Sequence, residues 1–292
     1  MTSISLGLLQ GNAGPGAEPA GAGDIGTWAE KAGFESLWAI EHVVVPKGFQ
    51  SPYPYNRTGR LPRAEASPYP DPIVWMSWVA ARTNTILIGT CVLILPLRNP
   101  VVLAKQCATL DSLANGRLRL GVGVGWLREE FEAVGAEFGV RGRRAEEYIH
   151  AMRALWSDDE TYHGETVTFD QAHCYPKPAR GRVPIHIGGN SDIAARRAGR
   201  MGDGFMPARY DRAVEYADIV RSAARDAGRD PKEIELHSVL PPRAAQLSDL
   251  LAAGYTHFLV PISSVSETGD LTEADFERTR GKAADLLREA SR

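Results

Sequence analysis

IGTCVLILPLRNPVVLAKQCATLDSLANGRLRLGVGVGWLREE, residues 88–130, decides the fold. An apolar run, Ile86, Leu87 and Ile88, ends in the small trio Gly89, Thr90 and Cys91. A short loop carrying Pro96 and Pro100 leads into a helical pattern that stops at Asn115-Gly116. A second apolar run over 118–124 then ends in Gly123, Gly125 and Trp126. This is strand, helix, strand, and both strands end in residues that let another group approach the backbone closely. The stretch predicts a binding site at the carboxyl ends of neighbouring parallel strands.

Working outward, the alternation of short apolar runs with amphipathic segments continues along the chain. The pattern predicts strands over 4–9, 36–40, 86–92, 117–124, 185–188, 204–207, 234–239 and 257–260. Helices are predicted over 25–32, 72–82, 101–114, 144–156, 192–201, 212–227, 243–253 and 272–290. A βαβα string demands a parallel sheet, and this one predicts a (β/α)8 TIM barrel, with a doubly wound open sheet as the alternative. Such barrels run to about 250 residues before insertions, so residues 1–292 read as one domain. Two insertions break the period. The first, residues 43–71 after the second strand, is rich in Pro, Tyr and Gly and reads as a lid or substrate wall, or as a surface insertion. Phe49, Tyr53, Tyr55 and Tyr69 in it favour packing against something. The second, residues 158–184 after the fourth strand and its helix, predicts a small hairpin.

Composition narrows the function. A net charge of −3 gives no electrostatic footprint for nucleic acid. No apolar run approaches the ~20 residues that span a bilayer, and the start, Met1 to Ile4, lacks a basic signal-peptide region. Cys91, Cys107 and Cys174 are odd in number and widely spaced, which suits reduced thiols in a soluble cytoplasmic protein. His163, His173 and His186 form no metal-ligand pattern, so no metal is expected, and no serine sits in a nucleophile elbow. The basic run 141–144 reads as a solvated helix start.

Barrels of this kind carry their active site at the carboxyl ends of the strands, which marks four places. Glu41-His42 follows the second strand; a histidine there can exchange protons near neutral pH, or be satisfied by loop backbone. Gly89-Thr90-Cys91-Val92 suggests a bulge with a flat ligand against it, or tight strand–helix packing. Gly121, Gly123 and Gly125 alternate along a strand before Trp126, which makes room in the barrel interior or beside a ring; this is not the dinucleotide fingerprint. Gly188-Gly189-Asn190-Ser191 precedes a helix, where backbone amides form an anion site, or where Asn190 or Ser191 simply caps.

Together these blocks resemble the bacterial luciferase-like monooxygenase superfamily, most closely its branch of oxidoreductases dependent on coenzyme F420. The matching text is FESLWAIEHVVVP, PYPDP, the 88–130 stretch continuing to EFEAVG, RRAEEYIHAMRALW, PIHIGGNS and RMGDGFMP, in that order. The resemblance implies a barrel whose deazaflavin lies across the strand ends. Gly89, Thr90, Cys91 and Val92 would form the bulge backing the ring, often with a cis peptide at Cys91-Val92. Gly123, Gly125 and Trp126 would lie beside the ring, while Gly188, Gly189, Asn190 and Ser191 hold the cofactor phosphate. His42 would be the acid/base and Glu41 a ring or ligand contact. One departure matters: sugar-phosphate dehydrogenases of this branch carry a glutamate acid where this chain has Trp126, and their basic phosphate-binding set is not recognisable. A more apolar or aromatic small-molecule substrate follows. The expected activity is hydride transfer at the deazaflavin C5 by a homodimer, without nucleic-acid or membrane partners. The rivals are an FMN-dependent monooxygenase fed by a flavin reductase, a non-catalytic cofactor carrier, and a barrel lyase or isomerase.

Overall fold

The structure, a computed structural model, describes residues 4–62, 65–265 and 271–291. The start of the N-terminal segment read above (residues 1–3) and two loop positions (63–64) lie outside the described residues. The chain runs β1 Ser5–Leu9, α1 Pro19–Lys31, β2 Ser36–Ala39, α2 Pro72–Ala80, β3 Leu87–Thr90, β4 Leu93–Ile94 and α3 Pro100–Leu113. It continues through β5 Leu118–Gly123, α4 Arg128–Ala133, α5 Arg141–Trp156, a hairpin of β6 Tyr162–His163 and β7 Thr168–Phe169, β8 Ile185–Gly188, α6 Asp192–Met201 and β9 Gly204–Met206. Finally come α7 Ala213–Asp226, β10 Glu235–Val239, α8 Ala244–Ala252, β11 His257–Pro261 and α9 Glu273–Ala290.

The strands pair in the order β3-β2-β1-β11-β10-β9-β8-β5-β4, and β3 also pairs with β5. That last pairing, with Ile88 against Leu118, closes the sheet, so the open-sheet alternative falls and the molecule is an eight-stranded parallel TIM barrel. β3 and β4 are two halves of one barrel strand. The predicted continuous run 86–92 is broken where the Cys91–Val92 peptide is cis.

Local chemistry explains the element ends. Asp71 accepts hydrogen bonds from the amides of Ile73 (2.9 Å) and Val74 (3.0 Å) to start α2, and Asn99 caps α3 in the same way through Val101 and Val102. Pro72 and Pro100 then occupy first-turn positions, where the missing N–H costs nothing. Asn115 and Gly116 stop α3 by taking positive φ, 54° and 79°. The helices differ from the sequence reading in places. Helix α1 begins at Pro19, not 25, because its glycines are contact points: a Cβ on Gly26 would stand 2.7 Å from Val79 Cγ1, so α1 lies close against α2. Helix α4 was not expected, and α5 begins at Arg141.

The main apolar core lies between strands and helices, with Leu37, Ile88, Leu120 and Ile187 on its inner side and Met76, Cys107, Ile149 and Val220 on its outer side. The barrel interior is different. Trp38, Met206 and Leu259 form a separate small cluster there. Beside it, the rings of His186 and His237 lie 5.8 and 5.4 Å from Trp38. Glycines on adjacent strands make these large rings possible: a Cβ on Gly89 would meet the Trp38 ring at 2.6 Å, and one on Gly204 the His186 ring at 2.9 Å. Among the described residues no helix is long and apolar enough to cross a membrane, and all three cysteines are unpaired.

Candidate active site

A cavity of about 1000 Å3 opens at the carboxyl ends of the barrel strands. Leu9, His42, Cys91, Gly123, Gly188 and Val239, from six different strand ends, share its wall.

His42 leaves β2 with its Nδ1 3.1 Å from Glu130 Oε2. Glu130, on α4, is fully buried. Its other oxygen accepts the amides of Val43 (2.6 Å) and Val44 (3.4 Å), which fixes both the carboxylate and the chain leaving the strand. An ionised carboxylate can only accept, so Nδ1 carries the proton and Nε2 is the ring nitrogen free to exchange one. This is the carboxylate–histidine arrangement that orients a general acid/base.

Glu41, the neighbouring residue, has another task. Its carboxylate accepts from Ile94 N–H and from Arg98, whose Nε lies at 2.8 Å and whose second nitrogen also bonds it. Arg98 in turn reaches the helix-capping Asp71 at 2.6 Å. Burial opposes the Arg98 charge, but the two carboxylates outweigh it and hold the guanidinium above its usual range. Glu41 thus ties β2 to the β4 segment and to α2 while lining the cavity.

The alternating glycines have a specific geometry. A Cβ on Gly121 would lie 1.9 Å from Thr90 O, on Gly123 2.6 Å from Val92 Cγ2, and on Gly125 2.8 Å from Ile94 Cγ2. Each glycine therefore admits one residue of the adjoining β3–β4 strand. Gly188 does the same from the other side, its Cβ position 2.4 Å from Val92 Cγ1. Val92 is clamped between two glycines on the cavity wall. Gly89 and Thr90, expected beside a ring, stand behind it. Gly89 packs on Trp38, and the buried Thr90 hydroxyl donates to Gly121 O at 2.6 Å. Cys91 reaches the cavity, but burial pushes its thiol up to about 12, so it is no thiolate nucleophile.

The Gly188–Ser191 turn leads into α6. Ser191 caps it, accepting from Ala194 N at 3.2 Å, and Asn190 Oδ1 accepts from Arg209 N. Gly189 takes φ 143°, open to glycine alone. The turn and the first turn of α6 both face the cavity; the Gly189 amide donates to Met206 O, and those of Asn190 and Ser191 are the ones available to an anion. Two arginines add to this. Arg128 and Arg141 line the cavity with their guanidinium groups 4.5 and 3.8 Å from the Phe138 ring centroid. Arg141 also bonds the carbonyls of Gly125 and Phe138. Neither is among the ion pairs of the described residues, whereas Arg197 nearby is held by Glu146 at 2.9 Å. The expected helix start at 141–144 is there, as α5 begins at Arg141, but Arg141 is not solvated: it is half-buried in the wall of the cleft.

The long loop supplies an aromatic wall. Trp126 meets His42, Phe49 and Tyr53 edge-to-face at 5.8, 5.6 and 5.3 Å, and Tyr69 meets His42 at 5.1 Å. Glu129 anchors the loop through the amides of Gln50 (2.7 Å) and Ser51 (3.1 Å). The sequence reading missed Glu130, Arg98, Arg128 and Arg141. For Glu130 the available signal was the acidic pair after Trp126, but nothing local says that it turns back to His42.

The fold and the cleft define a TIM-barrel enzyme with a ligand site at its carboxyl end. The sequence model of the luciferase-like monooxygenase family matches residues 3–290. An uncharacterized protein of Mycobacterium tuberculosis is 31% identical over 287 residues, covering 96% of this chain and 99% of that protein. The F420-dependent glucose-6-phosphate dehydrogenase of Kineococcus radiotolerans is 30% identical over 276 residues, covering 90% of this chain and 75% of that enzyme. Among solved structures, an F420-dependent secondary alcohol dehydrogenase in complex with an F420–acetone adduct superposes with a TM-score of 0.75 at 20% identity, covering 99% of each chain. The chain belongs to the luciferase-like monooxygenase family and is an enzyme of that type.

Proposed function

We propose that this chain is a coenzyme F420-dependent oxidoreductase, one barrel domain that transfers hydride between the deazaflavin C5 and a small apolar or aromatic substrate. The observation that carries the reading is the pair Arg128 and Arg141, cationic, without carboxylate partners among the described residues and facing the cavity. Acidic ligand groups fit that pair, and a flat ring fits the Val92 wall between Gly123 and Gly188. The two arginines would hold the acidic tail of the coenzyme, and the amides of Asn190 and Ser191, on a turn shaped by Gly188 and Gly189, its phosphate. When bound, the coenzyme supplies the hydride acceptor or donor. His42 Nε2 gives or takes the coupled proton, with Glu130 holding Nδ1–H in place. Trp126, Phe49 and Tyr53 exclude water and seat an apolar substrate. Trp126 in place of an acid, beside tyrosines, speaks for a carbonyl or alcohol on an apolar frame over a sugar phosphate. The relatedness to an F420-dependent dehydrogenase supports the cofactor assignment.

Titration of the apo-protein with oxidised F420 and separately with FMN, followed by cofactor fluorescence, tests this. F420 is expected to bind at least about tenfold more tightly, a gain of the size that charge-assisted contacts provide. A reversed preference would overturn it in favour of a reductase-fed FMN monooxygenase, and binding of neither would end the redox reading. We also infer a homodimer. Val74 and Trp78, one turn apart on α2, and Val102 and Leu113 on α3 are exposed apolar side chains of the kind that cover an interface. Sedimentation velocity reads this directly.

A further inference from the structure

The base of the barrel, below Trp38, holds a group of side chains that the hydride chemistry does not use. His186 on β8 and His237 on β10 are both buried, and Glu235 at the start of β10 lies between them and the polar opening at the amino-terminal end. Three imidazole Nε2 atoms converge on one oxygen, Glu235 Oε2: His237 at 3.3 Å, His186 at 3.5 Å and His257 at 3.9 Å. Both ring nitrogens of His186 and Nδ1 of His237 are buried without a hydrogen-bond partner among the described residues.

We propose that His186, His237 and Glu235 form a binding site for a divalent transition ion of the zinc class, with His257 as an available fourth donor. The donor atoms of the first three lie within 4.8 Å of one another. Tetrahedral coordination at ~2.0–2.2 Å puts neighbouring donors ~3.3–3.6 Å apart, which the two shortest Glu235 contacts already match. Two imidazoles and a carboxylate suit zinc, cobalt or nickel better than magnesium or calcium, which prefer oxygen alone. The nearby Arg119 turns its NH1 to the carbonyls of Gly116 and Leu118. A polar opening of about 180 Å3, lined by Arg119, Arg180 and Arg182 as well as Asp203, Glu233 and Glu235, leads to the site from the amino-terminal end. The sequence hides this set because Glu235 and His237 are two residues apart while His186 comes from another strand; only barrel closure brings it to them. Loaded, the ion would cross-link β8 to β10 beneath the cofactor cavity.

The test uses chelator-treated full-length protein titrated with Zn2+ by calorimetry and with Co2+ by visible absorption. The wild type is expected to take one equivalent, to give the intense d–d bands of four-coordinate Co2+, and to gain thermal stability with Zn2+. Glu235 is 41% exposed at its side chain, so E235Q should fold, as its own melting curve will show. E235Q should bind at least ~100-fold more weakly, beyond the range for losing a mere supporting partner. H163A and H173A, at surface His–carboxylate pairs, should bind as wild type. Wild-type binding no tighter than E235Q, or binding abolished by H163A or H173A, would overturn the site. None of these readouts involves F420, so failure here leaves the cofactor reading untouched.

Discussion

Replacing Glu130 by Gln isolates what the carboxylate does for His42. Glutamine keeps the size of the side chain but presents one acceptor and one NH2 in place of two acceptors. The 2.6 Å bond from Val43 N claims the acceptor, so the NH2 must face His42 Nδ1 across the present 3.1 Å. Two N–H donors cannot meet there. His42 therefore moves its proton to Nε2, the nitrogen proposed to exchange protons with substrate, and the ring becomes the wrong tautomer for a base. A fixed wrong tautomer costs about 10²–10⁴ in turnover, while substrate and cofactor affinity should stay within about threefold. Stability should fall modestly, since charge-assisted bonds become neutral ones, about 1–2 kcal/mol, or roughly 2–8 °C in melting temperature. Glu130→Ala is the harsher contrast: it removes the buried acceptor of the partly buried Val43 and His42 N–H groups, at about 1–3 kcal/mol each. The decisive assay is two-bond 1H–15N correlation NMR on 15N-histidine protein, with His42 assigned by its Asn variant. Wild type should show protonated Nδ1 and E130Q protonated Nε2. An unchanged tautomer in E130Q, with turnover within about threefold of wild type, would refute the reasoning.

Other outcomes follow from the same geometry. Arg128→Ala and Arg141→Ala should each weaken F420 binding by about tenfold and flatten its salt dependence, with FMN affinity changed far less; parallel fluorescence titrations at two salt concentrations check this, and equal losses for both cofactors would contradict it. Gly188→Ala drives a Cβ to 2.4 Å from a stiff Val92 methyl and should cost about 1–3 kcal/mol together with cofactor affinity. Unchanged affinity in that variant would mean that Val92 does not back the ligand. The Ser51 hydroxyl and the amides of Gln50 and Ser51 hold the Glu129 carboxyl at about 2, below its ordinary 4.5. Its folded value is depressed, so its anchoring of the aromatic loop is complete above about 4.5 and is lost as pH falls toward 2. Trp126 fluorescence should report that release on acidification, and Glu129→Gln should remove the transition.

Why some of this could be read in the sequence and some could not is itself a matter of range. The period of strand and helix is local, and so are caps such as Asp71 and the stop at Asn115-Gly116; these set the barrel before any contact is known. His42 was legible because a histidine at a strand end is marked by its own neighbours. Glu130 was not, because its partner lies 88 residues away and only the closed barrel brings α4 back over β2. The same holds for Arg98, which meets Glu41 across 57 residues, and for Arg141, whose place in the cleft depends on Phe138 and on the carbonyl of Gly125. The glycines show the limit most sharply. Spacing at 121, 123 and 125 tells that backbone is laid bare on one face, but not what fills the space. The structure fills it with Thr90, Val92 and Ile94 of the adjoining strand, so the glycines build the wall and Val92 becomes its surface. Gly123 and Gly125 reach the cavity beside that valine as well as packing against the adjoining strand. Substituting them should therefore disturb binding and packing together, whereas a glycine that met only the ligand would disturb binding alone.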